Sequence, residues 1–585
     1  MNIPQNMISF GVAAVVSVLI ACVPLFSSSY TVSLTMTLLL FFVLAQSWDW
    51  VGGELGYVNL SHFAFYGLGA YVFSIAYSND LHPALSLFLA PIVTALIVSV
   101  ISVPLFRLRG EYFAFATLAL LPLFQILASN LKWLTKGSEG IILPAEQITE
   151  TAFILMVALA FVTFVASTIL VRSPFGLLIR SIRDDEEVAE SIGVRILPRK
   201  IILMALSAAI AAIAGGIHGW YLSFIDPTTM FGLDVALVPI AMALLGGSAL
   251  LWGPLVGVIV LVFMNQWLLT NISILHSAFY GLVILLVGRF LPGGLLRSQL
   301  LGKVKPLGFL TKEHHEHIVS AGTTIGGLSL SKREPDQDRV ALECKNVTKR
   351  FGGNTALKDV SIRINEGEIV GLIGANGSGK TTLFNCISRI LDLSEGAIVV
   401  YGDDIAHLRR DQIAHAGIGR SYQIPRSFER MTVRENITTA LMASISPPDY
   451  ANAKHEAARF AQYVGLADQV DVVVASLSPQ KRKLLELARA LATSPKILLV
   501  DEVASGLTSN EISEFVNHIR ELRDVYGLTI IWVEHIFSAL SQVVDRVVVL
   551  EQGSVIADGP LAEVLENENV QRSYFGAATG GEIEC

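Results

Sequence analysis

Gly374-Ala375-Asn376-Gly377-Ser378-Gly379-Lys380-Thr381-Thr382 is the stretch of this 585-residue chain whose types and spacing most directly imply chemistry. The pattern G-x-x-x-x-G-K-T is that of a phosphate-cradling loop. Its glycines let backbone N–H groups turn inward around phosphate oxygens, and the helix that follows points its positive end at them. Lys380 would reach the β- and γ-phosphates, and the Thr381 hydroxyl would hold Mg2+. Further along, Ile497-Leu498-Leu499-Val500-Asp501-Glu502 reads as a buried strand ending in two carboxylates. Asp501 would order the Mg2+ shell, and Glu502 would orient or polarise an attacking water. Thr529-Ile530-Ile531-Trp532-Val533-Glu534-His535 reads as another strand, ending in a candidate γ-phosphate contact, His535. Phe351 stands where an aromatic could stack on adenine or simply pack. ATP and Mg2+ are therefore the expected cofactors.

The elements that position these residues follow from the surrounding sequence. An apolar run, Ile369-Val370-Gly371-Leu372-Ile373, precedes the loop, and Leu383-Phe384-Asn385-Cys386-Ile387 follows it. That order is strand, glycine-rich turn, helix. Strands are also expected at 341–345 and 360–364. Length favours more than one domain. Charged residues make up 16% of the chain and mean hydropathy is +0.57, against roughly 25% charge in a soluble protein. One membrane half joined to one soluble half gives such an average. A net charge of −8, with no basic stripe, argues against nucleic acid as a partner. The four cysteines, Cys22, Cys344, Cys386 and Cys585, are spaced for neither zinc nor a disulfide framework.

Residues 1–300 read as a membrane domain. About ten spans are expected, at 8–26, 32–48, 58–76, 85–105, 112–128, 151–171, 201–224, 235–245, 255–269 and 278–291. Several reach the roughly 20 residues that cross a bilayer. The first lacks a basic flank and a small-residue cleavage site and reads as a retained span. With the nucleotide domain facing cytoplasmic ATP, Arg107, Arg109, Arg172, Arg180, Arg183, Arg195, Arg199 and Lys200 fall inside, and Lys132 and Lys136 outside. That is the positive-inside bias. Asn59, Ser61 and His62, with Gly67 and Gly69 beyond, would line a transport path or serve helix packing. Residues 184–191 should form a short acidic helix stopped at Gly193. It is either a docking helix or a solvated loop of alternating charge. Residues 301–339 read as a cytosolic linker in which Glu313-His314-His315-Glu316-His317 is a polar segment or a weak metal candidate. Residues 340–585 form the ATP-binding domain.

Leu108-Arg109-Gly110-Glu111-Tyr112-Phe113-Ala114, Arg183-Asp184-Asp185-Glu186, Leu245-Gly246-Gly247 and Leu251-Trp252-Gly253-Pro254 resemble permease subunits of branched-chain amino-acid ABC importers. The ordered set Lys380, Gln423, Asp501, Glu502 and His535 resembles the ATP-binding-cassette domain. The run Leu484-Leu485-Glu486-Leu487-Ala488-Arg489-Ala490-Leu491 resembles the helix after that family's signature. The resemblance implies a permease fused to an ATPase: an all-α polytopic membrane domain followed by an α/β P-loop domain with a helical subdomain. It implies that Gln423 serves ATP and Mg2+, and that Arg183, Asp184, Asp185, Glu186 and Gly193 belong to a coupling helix. It also implies a second ATPase subunit, a second permease subunit and a periplasmic or lipid-anchored binding protein. The setting implied is a bacterial inner membrane with the ATPase cytoplasmic and the spans in lipid.

Leu477-Ser478-Pro479-Gln480-Lys481 stands where the family has Leu-Ser-(any)-Gly-Gln. That loop, the resemblance implies, contacts the nucleotide held by the partner ATPase, through Ser478 and the residue at Gln480. Pro479 lacks an N–H, and Gln480 replaces a glycine that lets backbone approach phosphate. Val503 replaces the usual proline after Asp501-Glu502, and Ser505-Gly506-Leu507-Thr508 departs from the usual dimer-contact loop. Two unequal ATP sites and a heteromeric ATPase pair are expected. Import of a branched-chain or related apolar amino acid is the leading reading. Import of urea, amides or small organic acids, export, and a non-transporting ATP-gated assembly are the alternatives.

Overall fold

The computed structural model describes residues 5–144, 149–271, 278, 281–282, 285–286, 289–290, 293–297, 328, 330, 332–504, 508–534 and 537–575. These fall into two compact units. One comprises Met1–Arg183 and Leu197–His315, the other Asp184–Ile196 and Glu316–Cys585.

The first unit is helical. Among the described residues five helices are long and apolar enough to cross a membrane: Ser29–Glu54, Pro83–Leu105, Glu111–Asn130, Thr149–Arg172 and Ile196–Leu222. Shorter apolar helices occupy other expected spans, including Gln5–Ala21, His62–Ser78, Val238–Gly246 and Gly253–Asn271. Half of the span expected at 278–291 lies outside the described residues. The helix expected from 58 begins at His62 instead. The chain before it leaves helical geometry through a π-turn, Trp50–Glu54. The backbone that follows is bonded locally and by side chains: Tyr57 N–H donates to Val51 O at 3.0 Å and Trp48 Nε1 to Asn59 O at 2.7 Å. Irregular backbone at membrane depth is tolerated where protein buries it in this way.

The second unit is built on two sheets. In chain order its strands are β1 (Val340–Phe351), β2 (Asn354–Asn365), β3 (Ile369–Ile373), β4 (Glu395–Val400), β5 (Asp403–Asp404), β6 (Ile418–Arg420), β7 (Ile497–Asp501), β8 (Thr529–Val533), β9 (Arg546–Glu551) and β10 (Ser554–Gly559). An antiparallel sheet has the order β2-β1-β4-β5, and a six-stranded sheet the order β10-β9-β3-β8-β7-β6. Strands β9, β3, β8, β7 and β6 are mutually parallel. Every residue of β3, β7 and β8 is buried, which is why they read as unbroken apolar runs rather than alternating ones. Phe384, Cys386 and Ile387 extend this core, with Cys344 from β1. The helices Val433–Ala443, Tyr450–Tyr463 and Pro479–Ala492 pack on one another as a helical subdomain. Packing starts before residue 340: Leu328 and Leu330 are buried, and Leu328 N–H donates to the Tyr526 hydroxyl at 3.0 Å.

Candidate active site

The glycine-rich loop leaves the C-terminal end of β3 and enters the helix Lys380–Ile387. Neighbouring β7 and β8 end alongside it, with Val533 in register with both Leu372 and Asp501. Ligands of open parallel sheets bind outside such carboxyl ends. Close approach explains the glycines: a Cβ at Gly374 would lie 2.3 Å from Leu550 O, and one at Gly379 2.8 Å from Ala356 O. Ala375, Asn376 and Gly377 are exposed, as is Thr381; Thr382 is half-buried. Lys380 folds back on the loop, donating to Gly374 O at 2.6 Å and Ala375 O at 3.1 Å. Burial lowers its ammonium below the ordinary value, while the Glu502 and Asp501 carboxylates pull it the other way. The loop suits phosphate: Ser378 Oγ is buried without a hydrogen-bond partner among the described residues.

The carboxylates converge on this loop. Asp501 is buried at the end of β7, its N–H donating to Ser421 Oγ at 3.1 Å, and the Arg420 guanidinium lies 3.8 Å from its carboxylate. Gln423 Nε2 donates to Glu502 Oε2 at 2.8 Å. Lys380, Gln423 and the adjacent pair Asp501 and Glu502, three places far apart in sequence, thus meet. Phe351, at the end of β1, is 47% exposed, so it does not serve as core packing. Its ring lies 5.0 Å from Lys349 Nζ. His535 lies outside the described residues. Glu534 beside it is buried and accepts from Ala504 N–H at 2.9 Å.

The altered segment at 477–481 is a helix start. Ser478 is the N-cap of Pro479–Ala492, its Oγ accepting from Lys481 N–H at 3.4 Å, and Pro479 takes the first helical position. A missing N–H is harmless there. Gln480 is exposed.

The acidic segment Asp184–Ile196 packs within the second unit. Its helix is shorter than expected, Glu186–Ser191, because Asp184 ends the preceding helix and Asp185 becomes the cap. The Asp185 carboxylate accepts from Glu187 and Val188 N–H at 3.0 and 3.1 Å. Gly193, at φ +99°, follows the helix end as expected, and a Cβ there would meet His415 Nε2 at 2.9 Å. Arg426, which no sequence motif marked, grips this helix: it lies 2.8 Å from Asp185 Oδ2 and donates to Glu187 Oε2 at 2.8 Å. Burial works against the Arg426 charge, but the Glu187 and Asp185 contacts outweigh it and raise the guanidinium above its ordinary value. Arg430 N–H donates to Asp184 Oδ2 at 3.0 Å. Glu186 is half-buried, and Arg183 stays with the first unit, donating to Gly53 O at 3.1 Å.

In the first unit Asn59, Ser61 and His62 are all buried. Ser61 Oγ donates to Asn59 Oδ1 at 2.6 Å, and His62 Nε2 lies 3.0 Å from Ser47 Oγ. Gly67 and Gly69 are packing residues, since a Cβ on either would strike Met230 O at 2.6 Å or Ala212 Cα at 2.2 Å. The linker histidines His314, His315 and His317 lie outside the described residues. No group of metal-ligating side chains occurs among the described ones.

Residues 30–288 match the family of branched-chain amino acid transport system permease components, and residues 357–505 the ABC transporter family. The high-affinity branched-chain amino acid transport ATP-binding protein BraF of Pseudomonas aeruginosa is 32% identical over 253 residues, 41% of this chain and 99% of that protein. The corresponding protein LivG of Salmonella typhimurium is 34% identical over 250 residues, 40% of this chain and 98% of that one. A crystal structure of the ADP conformation of an ATP-binding cassette of an ABC transporter shares 31% identity, with a TM-score of 0.37, covering 40% of this chain and 99% of that one.

Proposed function

We propose, because this chain belongs to the ABC transporter family and joins a permease component to an ATP-binding domain, that it uses ATP hydrolysis to drive import of branched-chain amino acids. The meeting of Lys380, Gln423, Asp501 and Glu502 at the strand ends carries this reading. Gly374 to Thr382 hold the phosphates, with Lys380 on the β- and γ-phosphates. Glu502, held by Gln423, orients the attacking water, and His535 contacts the γ-phosphate. Phe351 stacks on adenine. Thr381, Gln423 and Asp501 would hold Mg2+, which when bound neutralises charge on the transferred phosphoryl group.

The membrane unit crosses a bacterial inner membrane about ten times, with the ATPase in the cytoplasm. A second permease, a second ATPase and a binding protein complete the importer. Ser478 and Gln480 face the partner's nucleotide in the weaker of two unequal sites. The helix Glu186–Ser191, clamped by Arg426, carries ATPase motion toward the membrane helices. ATP drives that motion by binding one arrangement of the ATPase pair better than the other. Asn59, Ser61 and His62 lie along the path of the cargo.

Vesicles reconstituted with this chain, its partner subunits and the binding protein test the reading. Labelled leucine should accumulate with internal or external ATP supplied on the cassette side, and Glu502→Gln should stop it. Uptake of urea or an amide in place of leucine would reassign the cargo.

A further inference from the structure

We propose, resting on the reading of Glu502 as the residue that orients the attacking water, that Lys483 is a positioning residue for ATP hydrolysis and acts through the Glu502 main chain. Glu502 is a non-glycine residue at φ +48°. Such a conformation persists where surrounding contacts over-determine it. Its N–H donates to Val533 O at 3.0 Å, which ties it to β8. Its carboxylate accepts from Gln423 at 2.8 Å. Its carbonyl accepts from Lys483 Nζ at 2.8 Å, and that donor carries a formal charge. Charge-assisted hydrogen bonds are the strong ones.

The next residue sharpens the case. A proline at 503 would bias Glu502 toward extended geometry, away from its φ of +48°. Val503 is there instead, buried, and imposes no such restriction. A non-glycine left-handed turn has to be held by contacts, and Lys483 supplies one of them from the helical subdomain. Lys483 lies on the helix that Ser478 caps. One helix therefore carries both the serine expected to meet the partner's nucleotide and the ammonium that holds the carboxylate serving this chain's own. A shift of that helix alters Glu502 directly.

Steady-state ATPase assays on the assembled transporter, with Mg·ATP varied, test this. Lys483→Met should lower kcat roughly ten- to a hundredfold, the loss expected for one charged hydrogen bond. KM for ATP should stay within about twofold, since the effect falls on turnover and not on binding. Lys483→Arg should recover most of the rate. Added to Glu502→Gln, Lys483→Met should cause no further loss, because the two act as a unit. Lys483→Gln, which keeps a donor without the charge, should fall between wild type and Lys483→Met, and serves if the methionine variant misfolds. Unchanged kcat in Lys483→Met and Lys483→Gln, beside an inactive Glu502→Gln, overturns the role of Lys483 alone. So does a loss that raises KM equally and that arginine fails to rescue. Turnover persisting in Glu502→Gln overturns instead the reading on which Lys483 rests.

Discussion

The loop at 374–382 and the loop at 477–481 both belong to positions where phosphate is expected, yet their backbones are organised for different ends. In the first, the glycines are demanded by contact: side chains at 374 and 379 would collide with the carbonyls of Leu550 and Ala356. Its buried Ser378 hydroxyl is left for a ligand. In the second, every feature serves helix initiation. Leu477 is buried, Ser478 caps, Pro479 occupies the first turn, and Gln480 is exposed. A loop that meets phosphate with its backbone needs free N–H groups and no side chain at the closest approach. The first loop satisfies this, whereas the second gives up an N–H to proline and adds a side chain at 480. On the proposed function, differences of one or two residues would leave the second half-site the weaker of the two.

The largest effect that could break this contrast comes from Glu502→Gln. A positioned acid–base or water-orienting group contributes about 10²- to 10⁴-fold, so turnover should fall by that factor while ATP binding survives. Undiminished turnover in the assembled complex would mean that the working site is the other one. Gly374→Ala comes next. Its methyl would sit 2.3 Å from Leu550 O, and relieving such overpacking costs about 1–3 kcal/mol. Nucleotide affinity, measured by equilibrium binding, should drop while the rest of the fold stays intact.

What could be read in the sequence was the part fixed by local pattern. The buried parallel strands β3, β7 and β8 announce themselves as apolar runs, and the loop after β3 by glycines whose absence of side chains is itself the function. The helix stop at Gly193 followed from a residue that tolerates positive φ. Other features depended on tertiary contact and left no periodic trace. Lys483 sits in the run Lys481-Arg482-Lys483, which no motif marks, yet its ammonium reaches the Glu502 carbonyl just past the end of β7. Arg426 follows Pro425 in an irregular stretch, and nothing local says that it faces Asp185 and Glu187. The helix expected from 58 starts four residues later, at His62, because hydropathy does not register the side-chain hydrogen bonds that hold Asn59 and Ser61 out of it.

A milder change tests the second loop from the opposite direction. Gln480→Gly combined with Lys481→Gln restores the residue types that let backbone meet phosphate. If the altered segment limits the weaker site, ATP turnover by the complete transporter should rise about fivefold, the worth of one net hydrogen bond. Against that gain stands a helix made less stable by up to about 1 kcal/mol from glycine near its start. No rise in single-turnover rate would mean that the weakness lies elsewhere than in the segment 477–481.

The smallest effect belongs to Ser478→Ala, and it separates the two uses of one hydroxyl. As a cap, Ser478 satisfies an otherwise orphaned N–H at Lys481, and replacing it should destabilise the helix Pro479–Ala492 by about 1 kcal/mol. Hydrogen exchange at the first turn of that helix should report this as faster exchange of the Lys481 amide. If capping is its whole role, ATP binding at this chain's own loop and turnover should both stay within about twofold of wild type. If the hydroxyl also touches the partner's nucleotide, turnover should fall further than the helix loosens, and Ser478→Thr should restore it by supplying the same oxygen. Asp at 478 caps equally well but brings a negative charge toward phosphate. Ser478→Asp should therefore keep the amide protected and lose turnover only if the second loop still meets a nucleotide.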